Sequence, residues 1–248
     1  MLRKLASIAA AFVAIHQAVA TGNPEAAFDR ANREYDAGNF EAARKLYSEL
    51  VGSRAYSSSL FCNLGNAHYR LDDKGAAMLN YERALALEPG QAEALSNLEF
   101  VRNQTGAKIE RLQWFEQLLI PLGASNYALI AASSCWAALF CIAAAMLAKG
   151  RRTGALRIGV GSLSLICCYA VFALWVGEKQ RTAAVVTARQ AEARFAPADT
   201  ARLMGALPAG SRVRVLADRG AWVYCALPDR SKGWVPARTI EKIRLPSS

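Results

Sequence analysis

The sequence predicts a multidomain membrane protein with three kinds of fold in one chain. These are an all-α helical repeat array, an α-helical transmembrane hairpin and a small all-β barrel. Three observations predict them. Residues 24–91 repeat with a 34-residue period. Residues 126–148 and 158–176 form two nearly all-apolar runs. Residues 182–248 alternate short β-rich runs with turn residues.

At the start, Arg3 and Lys4 precede an apolar core, and Ala18-Val19-Ala20 offers small residues ahead of a cleavage point. This is the three-part layout of a signal peptide over residues 1–20. An uncleaved signal anchor is the alternative, and either form exports the residues after it.

The array occupies residues 24–104. A 34-residue shift carries Asn32 to Asn66, Tyr35 to Tyr69, Ala43 to Ala77 and Tyr47 to Tyr81. The second unit carries Phe61, Leu64, Gly65, Tyr69, Ala77, Tyr81, Ala84 and Pro89. Small residues let two antiparallel helices approach, aromatics fill the gaps, and Pro89 stops the second helix. The first unit keeps Gly38, Ala43 and Tyr47 but has Ala27 and Leu50 at off-pattern positions, and Asp72 holds the second unit's turn-glycine position. Period and pattern resemble the tetratricopeptide repeat. That resemblance puts Asn32, Tyr35, Asn66, Tyr69 and Arg70 on a concave peptide-binding groove. There the Asn side chains would pair with a peptide backbone and Arg70 with a carboxylate. Ala92 to Gln104 is expected to cap the array, whose stability should depend on the cap or on the membrane-proximal segment.

Residues 105–125 form that membrane-proximal segment. Ile109, Leu112, Phe115 and Leu119 recur at helical spacing, and Trp114 and Phe115 suit a bilayer interface. An amphipathic surface helix is expected, with continuation of the repeat stack as the alternative. Residues 126–148 suffice to cross a hydrocarbon core of ~30 Å, and 158–176 is at the short end. The loop 149–157 holds Lys149, Arg151, Arg152 and Arg157 and no acid. Basic short loops stay cytoplasmic, so array and barrel are expected to share the periplasmic side of a bacterial inner membrane. No ionisable residue lies mid-span, which argues against a proton relay or ion pathway.

The barrel is expected over residues 182–248, with strands at 184–186, 213–216, 221–226, 233–235 and 239–243. Turns are expected at Pro208–Gly210, Asp218–Gly220 and Pro228–Gly233. ARFAP (193–197), LPAGSRVRVL (207–216), AWVYC (221–225) and KGWVP (232–236) resemble a bacterial SH3-type domain. Trp222 and Tyr224 form its candidate ligand face, with a core role also open to Trp222, and Trp234 is expected to plug the core.

The formal net charge of +10 is dispersed among acids rather than gathered into a basic stripe, which argues against nucleic acid. Cys135, Cys141, Cys167 and Cys168 lie in apolar runs. Cys62 and Cys225 stand one per flanking domain, and no metal-ligand spacing occurs. A Cys62–Cys225 disulfide is conceivable in an oxidising compartment, though nothing in the sequence supports it. With the leader removed, His68 is the remaining histidine, at a packing position without an Asp or Cys arranged around it. No catalytic or nucleotide motif stands in its required context, so a non-enzymatic protein without cofactor or metal is expected.

The order of parts resembles the BatE-like proteins of bacterial aerotolerance (Bat) operons. The resemblance implies a membrane-anchored adaptor. Its partners would be Bat-type membrane proteins with von Willebrand A domains and a cytoplasmic MoxR-type AAA+ ATPase, with a role in envelope or oxidative-stress tolerance. The competing expectation is a peptidoglycan-binding protein acting through its SH3-type domain.

Overall fold

The computed structural model describes residues 23–109, 124–147 and 152–244. The expected signal peptide, most of the membrane-proximal segment, the start of the basic loop and the last four residues lie outside that set. Among the described residues five helices come first: α1 (Pro24–Asp36), α2 (Phe40–Gly52), α3 (Ser58–Arg70), α4 (Lys74–Leu87) and α5 (Ala92–Thr105). The starts of α1, α3 and α5 are 34 residues apart, as are those of α2 and α4. Local chemistry repeats with them. Gly38 and Asp72, one period apart, both take left-handed backbone (φ 83 and 60) in the turns before α2 and α4. Asp tolerates that region better than most side chains, so it substitutes for the glycine. Asp73 then caps α4 by accepting the Ala76 N–H.

Each hairpin closes over small residues. Ala43 and Ala77 are fully buried, and Tyr47 and Tyr81 are almost so. Gly65 leaves room for the Tyr81 ring, which a Cβ would strike. Helix α5 packs Ala94, Leu98 and Val101 on the second hairpin. One period after fully buried Phe61 stands Leu95, which is 54% exposed, and Glu99 replaces Gly65. The face that α5 presents thus differs from that of α3.

The C-terminal region is a seven-stranded antiparallel sheet in the order β3-β2-β6-β5-β4-β1-β7. The strands are β1 (Ala183–Val186), β2 (Gln190–Arg194), β3 (Leu203–Pro208), β4 (Arg212–Arg219), β5 (Trp222–Ala226), β6 (Lys232–Pro236) and β7 (Ile240–Lys242). One core takes Ala184 and Val186 from β1, Ala191 and Ala193 from β2, Leu207 from β3, and Val213, Val223, Cys225 and Val235 from the strands between. Strands far apart in the order share that core, so the sheet bends round it. Sequence pattern indicates five of the seven strands. It misses β2 and β3, where alanine and glycine fill inward positions and blunt the apolar alternation.

Array and sheet are not separate bodies. Every residue of β1 is buried. Ala184 and Val186 face the sheet's core, while Ala183 and Val185 pack with Leu79 of α4 and with Ile243. Helix α4 is correspondingly buried nearly all round. Met78 fits against Gly210 and Gly75 against the Thr187 backbone, both too close to admit a Cβ. Arg83 donates to Glu241 (2.6 Å) and to the carbonyls of Lys242 and Ile243. Glu82 lies 3.6 Å from both Arg102 of α5 and Arg212 of β4. Beyond α5, Lys108 donates its N–H to Ser211 Oγ and accepts from Arg212 N–H. The sheet therefore supports the array, because β1 and β7 cover the outer face of α4.

Helices α6 (Ala124–Leu147) and α7 (Arg152–Arg181) pair through Tyr127, Ala170 and Ala173. Both are long and apolar enough to cross a membrane. Only 17% of the apolar window Asn126–Ala144 and 11% of Arg157–Gly177 is buried. Leu129, Phe140, Ile158 and Leu165 are among the exposed side chains. The second helix is longer than the apolar run alone suggests. It begins at Arg152, six residues earlier, so part of the expected basic loop is helical, since nothing between Arg152 and Ile158 breaks a helix strongly. It ends at Arg181, with Thr182 alone between it and β1.

Gly75 gives the joint a test of sign. Gly→Ala inside a helix ordinarily stabilises by about 1 kcal/mol. Here the Cβ would meet the Thr187 backbone, and overpacking of this kind costs about 1–3 kcal/mol. Gly75→Ala is expected to lower the urea midpoint of the detergent-solubilised full chain. A raised midpoint would mean that α4 and the β1–β2 turn do not touch.

Candidate functional site

Two surfaces carry candidate binding residues. The first lies on α1, α3 and α5, the helices that start 34 residues apart. Asn32 Oδ1 accepts from Tyr47 OH (2.6 Å) and from Asn63 Nδ2 (3.0 Å). One period later Asn66 Oδ1 accepts from Tyr81 OH and Asn97 Nδ2, both at 2.9 Å. Asn66 also donates to Glu93. Each amide oxygen is thus occupied by two internal donors, and the asparagines tie successive first helices to each other and to the buried tyrosines. Burial pushes the Tyr47 hydroxyl up to about 12 and that of Tyr81 up as well, so both stay protonated donors. The expected pairing of Asn32 and Asn66 with a ligand backbone would compete with these bonds.

Of the other groove residues, Tyr35 and Tyr69 are half-buried like the asparagines, and only Arg70 is exposed. Tyr35 meets Phe40 edge-on (5.2 Å), and the Arg70 guanidinium lies 4.0 Å over the same ring. Tyr69 packs on Phe100 and accepts a hydrogen bond from Gln104. Arg70 is exposed, and Phe100 is 54% exposed. These side chains form an aromatic and cationic strip that periodicity finds only in part, because Phe40 and Phe100 do not repeat.

The second surface is the outer face of the sheet. Val223, Cys225, Gly233 and Val235 point inward, so Trp222, Tyr224, Trp234 and Pro236 point outward and are half-buried. Register pairs Trp222 with Pro236 and Tyr224 with Trp234. The Tyr224 and Trp234 rings lie 5.0 Å apart. Trp234 therefore does not plug the core. Strand alternation gives that place to its neighbours Gly233 and Val235, and Met204 closes over Gly233. Arg219 reaches over Trp234 at 5.4 Å from the ring centre.

His68 has an acidic neighbour after all. Its Nδ1 lies 3.2 Å from Asp73 Oδ2. That hydrogen bond, with the Ala76 N–H, holds the Asp73 carboxyl below its ordinary value. Because Asp73 caps α4, the pair works in the helix turn. Cys62 and Cys225 are free thiols buried in different cores, and burial pushes both up to about 12. Among the described residues no group of His, Cys, Asp and Glu is arranged to hold a metal ion. Compared with models of known protein families the chain matches none, and no curated protein matches it.

The two kinds of groove residue separate experimentally. Asn66→Ala leaves buried donors unpaired and is expected to cost about 1–3 kcal/mol of stability. Exposed Arg70→Ala is expected to stay within about 0.5 kcal/mol of wild type. Denaturant titration of both variants reads the difference. Equal midpoints would remove the structural role assigned to Asn66.

Proposed function

We propose that this chain is a non-enzymatic adaptor anchored in a bacterial inner membrane by α6 and α7. On this reading α1–α4 are two tetratricopeptide repeats capped by α5, and the sheet is a bacterial SH3-type barrel. The observation that carries the reading is how the two parts meet. They join through the outer face of α4 and the back of β1, and the joint uses neither the Tyr35–Phe40–Arg70 strip nor the Trp222–Tyr224–Trp234 face. Both ligand-type surfaces stay open while their mutual orientation is fixed, which suits assembly of partners. The BatE-like order of parts names the partner class: Bat-type membrane proteins with von Willebrand A domains, served from the cytoplasm by a MoxR-type ATPase.

The membrane placement is supported by the exposed apolar faces of α6 and α7 together with the bases around their connection. Apolar faces this large need a hydrocarbon cover, and Lys149, Arg151, Arg152 and Arg157 favour the cytoplasm. Alkaline phosphatase fused after Gln104, and separately after Ser248, is expected to be active in both fusions. Activity in only one would mean that a single helix spans. For the adaptor role, affinity capture from solubilised membranes should recover a partner with the wild-type chain and lose it with Arg70→Glu plus Trp222→Ala. Undiminished recovery would mean that neither surface holds the partner. Co-sedimentation of the full chain with purified sacculi, lost in Trp222→Ala, would instead favour the peptidoglycan reading.

A further inference from the structure

We propose that the aromatic face of the barrel takes an acidic, extended segment of a partner protein, one with Asp or Glu beside proline or other apolar residues. This deepens the adaptor reading and rests on it. The first observation is the row itself. Trp222, Tyr224, Trp234 and Pro236 make a half-buried apolar strip across two strands. Such a strip suits the ridges of an extended, proline-containing backbone.

The second observation is the sign of the charge around it. Arg219 is exposed and stands over the Trp234 ring. A guanidinium stacked on a ring keeps its in-plane N–H groups free for a carboxylate fork. Arg194, the cross-strand neighbour of Trp234, is already engaged by Glu192 and the Ala201 carbonyl. Arg202 lies 5.6 Å over exposed Phe195. Of the acids on β2 and β4, Glu192 pairs with Arg194 and Asp218 accepts the Gly220 N–H in the hairpin turn.

The third observation is the split of charge between the two parts. Residues 182–248 hold eleven Lys and Arg against five Asp and Glu, a net of +6. Residues 23–109 hold ten against twelve, a net of −2. A basic ligand segment would meet like charge at the barrel, whereas an acidic one is drawn in. Anionic lipid or wall polymer would meet the same charge, but the paired register of the strip across two strands suits an extended backbone, so a protein segment is favoured.

The test uses the full chain in phosphatidylcholine nanodiscs and two fluorescent peptides, one built of Glu, Pro and Leu and the other with Lys for Glu. Fluorescence anisotropy should show the acidic peptide binding at least about tenfold tighter, the worth of one charge-assisted hydrogen bond. Arg219→Glu should erase or invert that preference with an unchanged unfolding midpoint, and Trp222→Ala should weaken both peptides. Equal affinities, or a preference untouched by Arg219→Glu, would overturn the acidic assignment and leave the adaptor reading standing. Retention by phosphatidylglycerol vesicles or by sacculi, with neither peptide bound, would overturn both the acidic-segment proposal and the barrel's part in the adaptor reading.

Discussion

Leu79 of α4 packs against Ala183 and Val185 of β1 and against Ile243, and much of the molecule's arrangement depends on that contact. Two repeated hairpins and a fifth helix bury little apolar surface for their length, and small arrays of this kind are marginal alone. The strand removes the outer face of α4 from water and in exchange has its own second face covered. Neither β1 nor the middle of α4 keeps a solvent side. The fit is close because Gly75 and Gly210 bring backbone within reach of the opposite surface. The ionic contacts at its rim, Arg83 with Glu241 and Glu82 between two arginines, fix the register more than they add stability, since desolvation offsets much of the attraction of such pairs.

The same contact sets how the two candidate binding surfaces are presented. Helix α7 passes into β1 through Thr182 alone, so the sheet is mounted on the helix without a flexible linker. The array is mounted in turn on β1. Two surfaces carried this way keep a fixed separation, so under the proposed adaptor role a partner that meets one would meet the other at high effective concentration. Arg219 over Trp234 and Arg70 over Phe40 are similar pieces of chemistry at the two places. Both leave a cation held on an aromatic plate.

Much of this is legible in the sequence, and the physical reasons differ from place to place. The helical repeat is readable because packing imposes the same residues every 34 positions, down to Asp72 standing for Gly38. The apolar helices are readable by composition. The joint is harder to read, although its marks are present. Ala183-Ala184-Val185-Val186 is an unbroken apolar strand, the mark of burial on both faces, and Lys74 to Leu87 lacks the one-sided pattern of a surface helix. Each mark is too short to identify its partner before the fold is known. Strands β2 and β3 escape because alanine hides their alternation. Trp234 misleads because a tryptophan beside a glycine looks like core until the phase of the strand is known. The asparagine pairs are readable as a regular spacing within the chain, but spacing alone does not distinguish a ligand contact from an internal tie.

The joint is tested most directly by hydrogen exchange on the full chain in nanodiscs, comparing wild type with Val223→Ala. That change lies in the core of the sheet, away from α4, and a cavity of this size costs about 1–3 kcal/mol. If array and sheet form one cooperative body, peptides covering 74–87 should exchange faster in the variant along with those covering 183–186. If α4 keeps its wild-type protection while the sheet loses its own, the two parts fold independently and the Leu79–β1 contact does not join them.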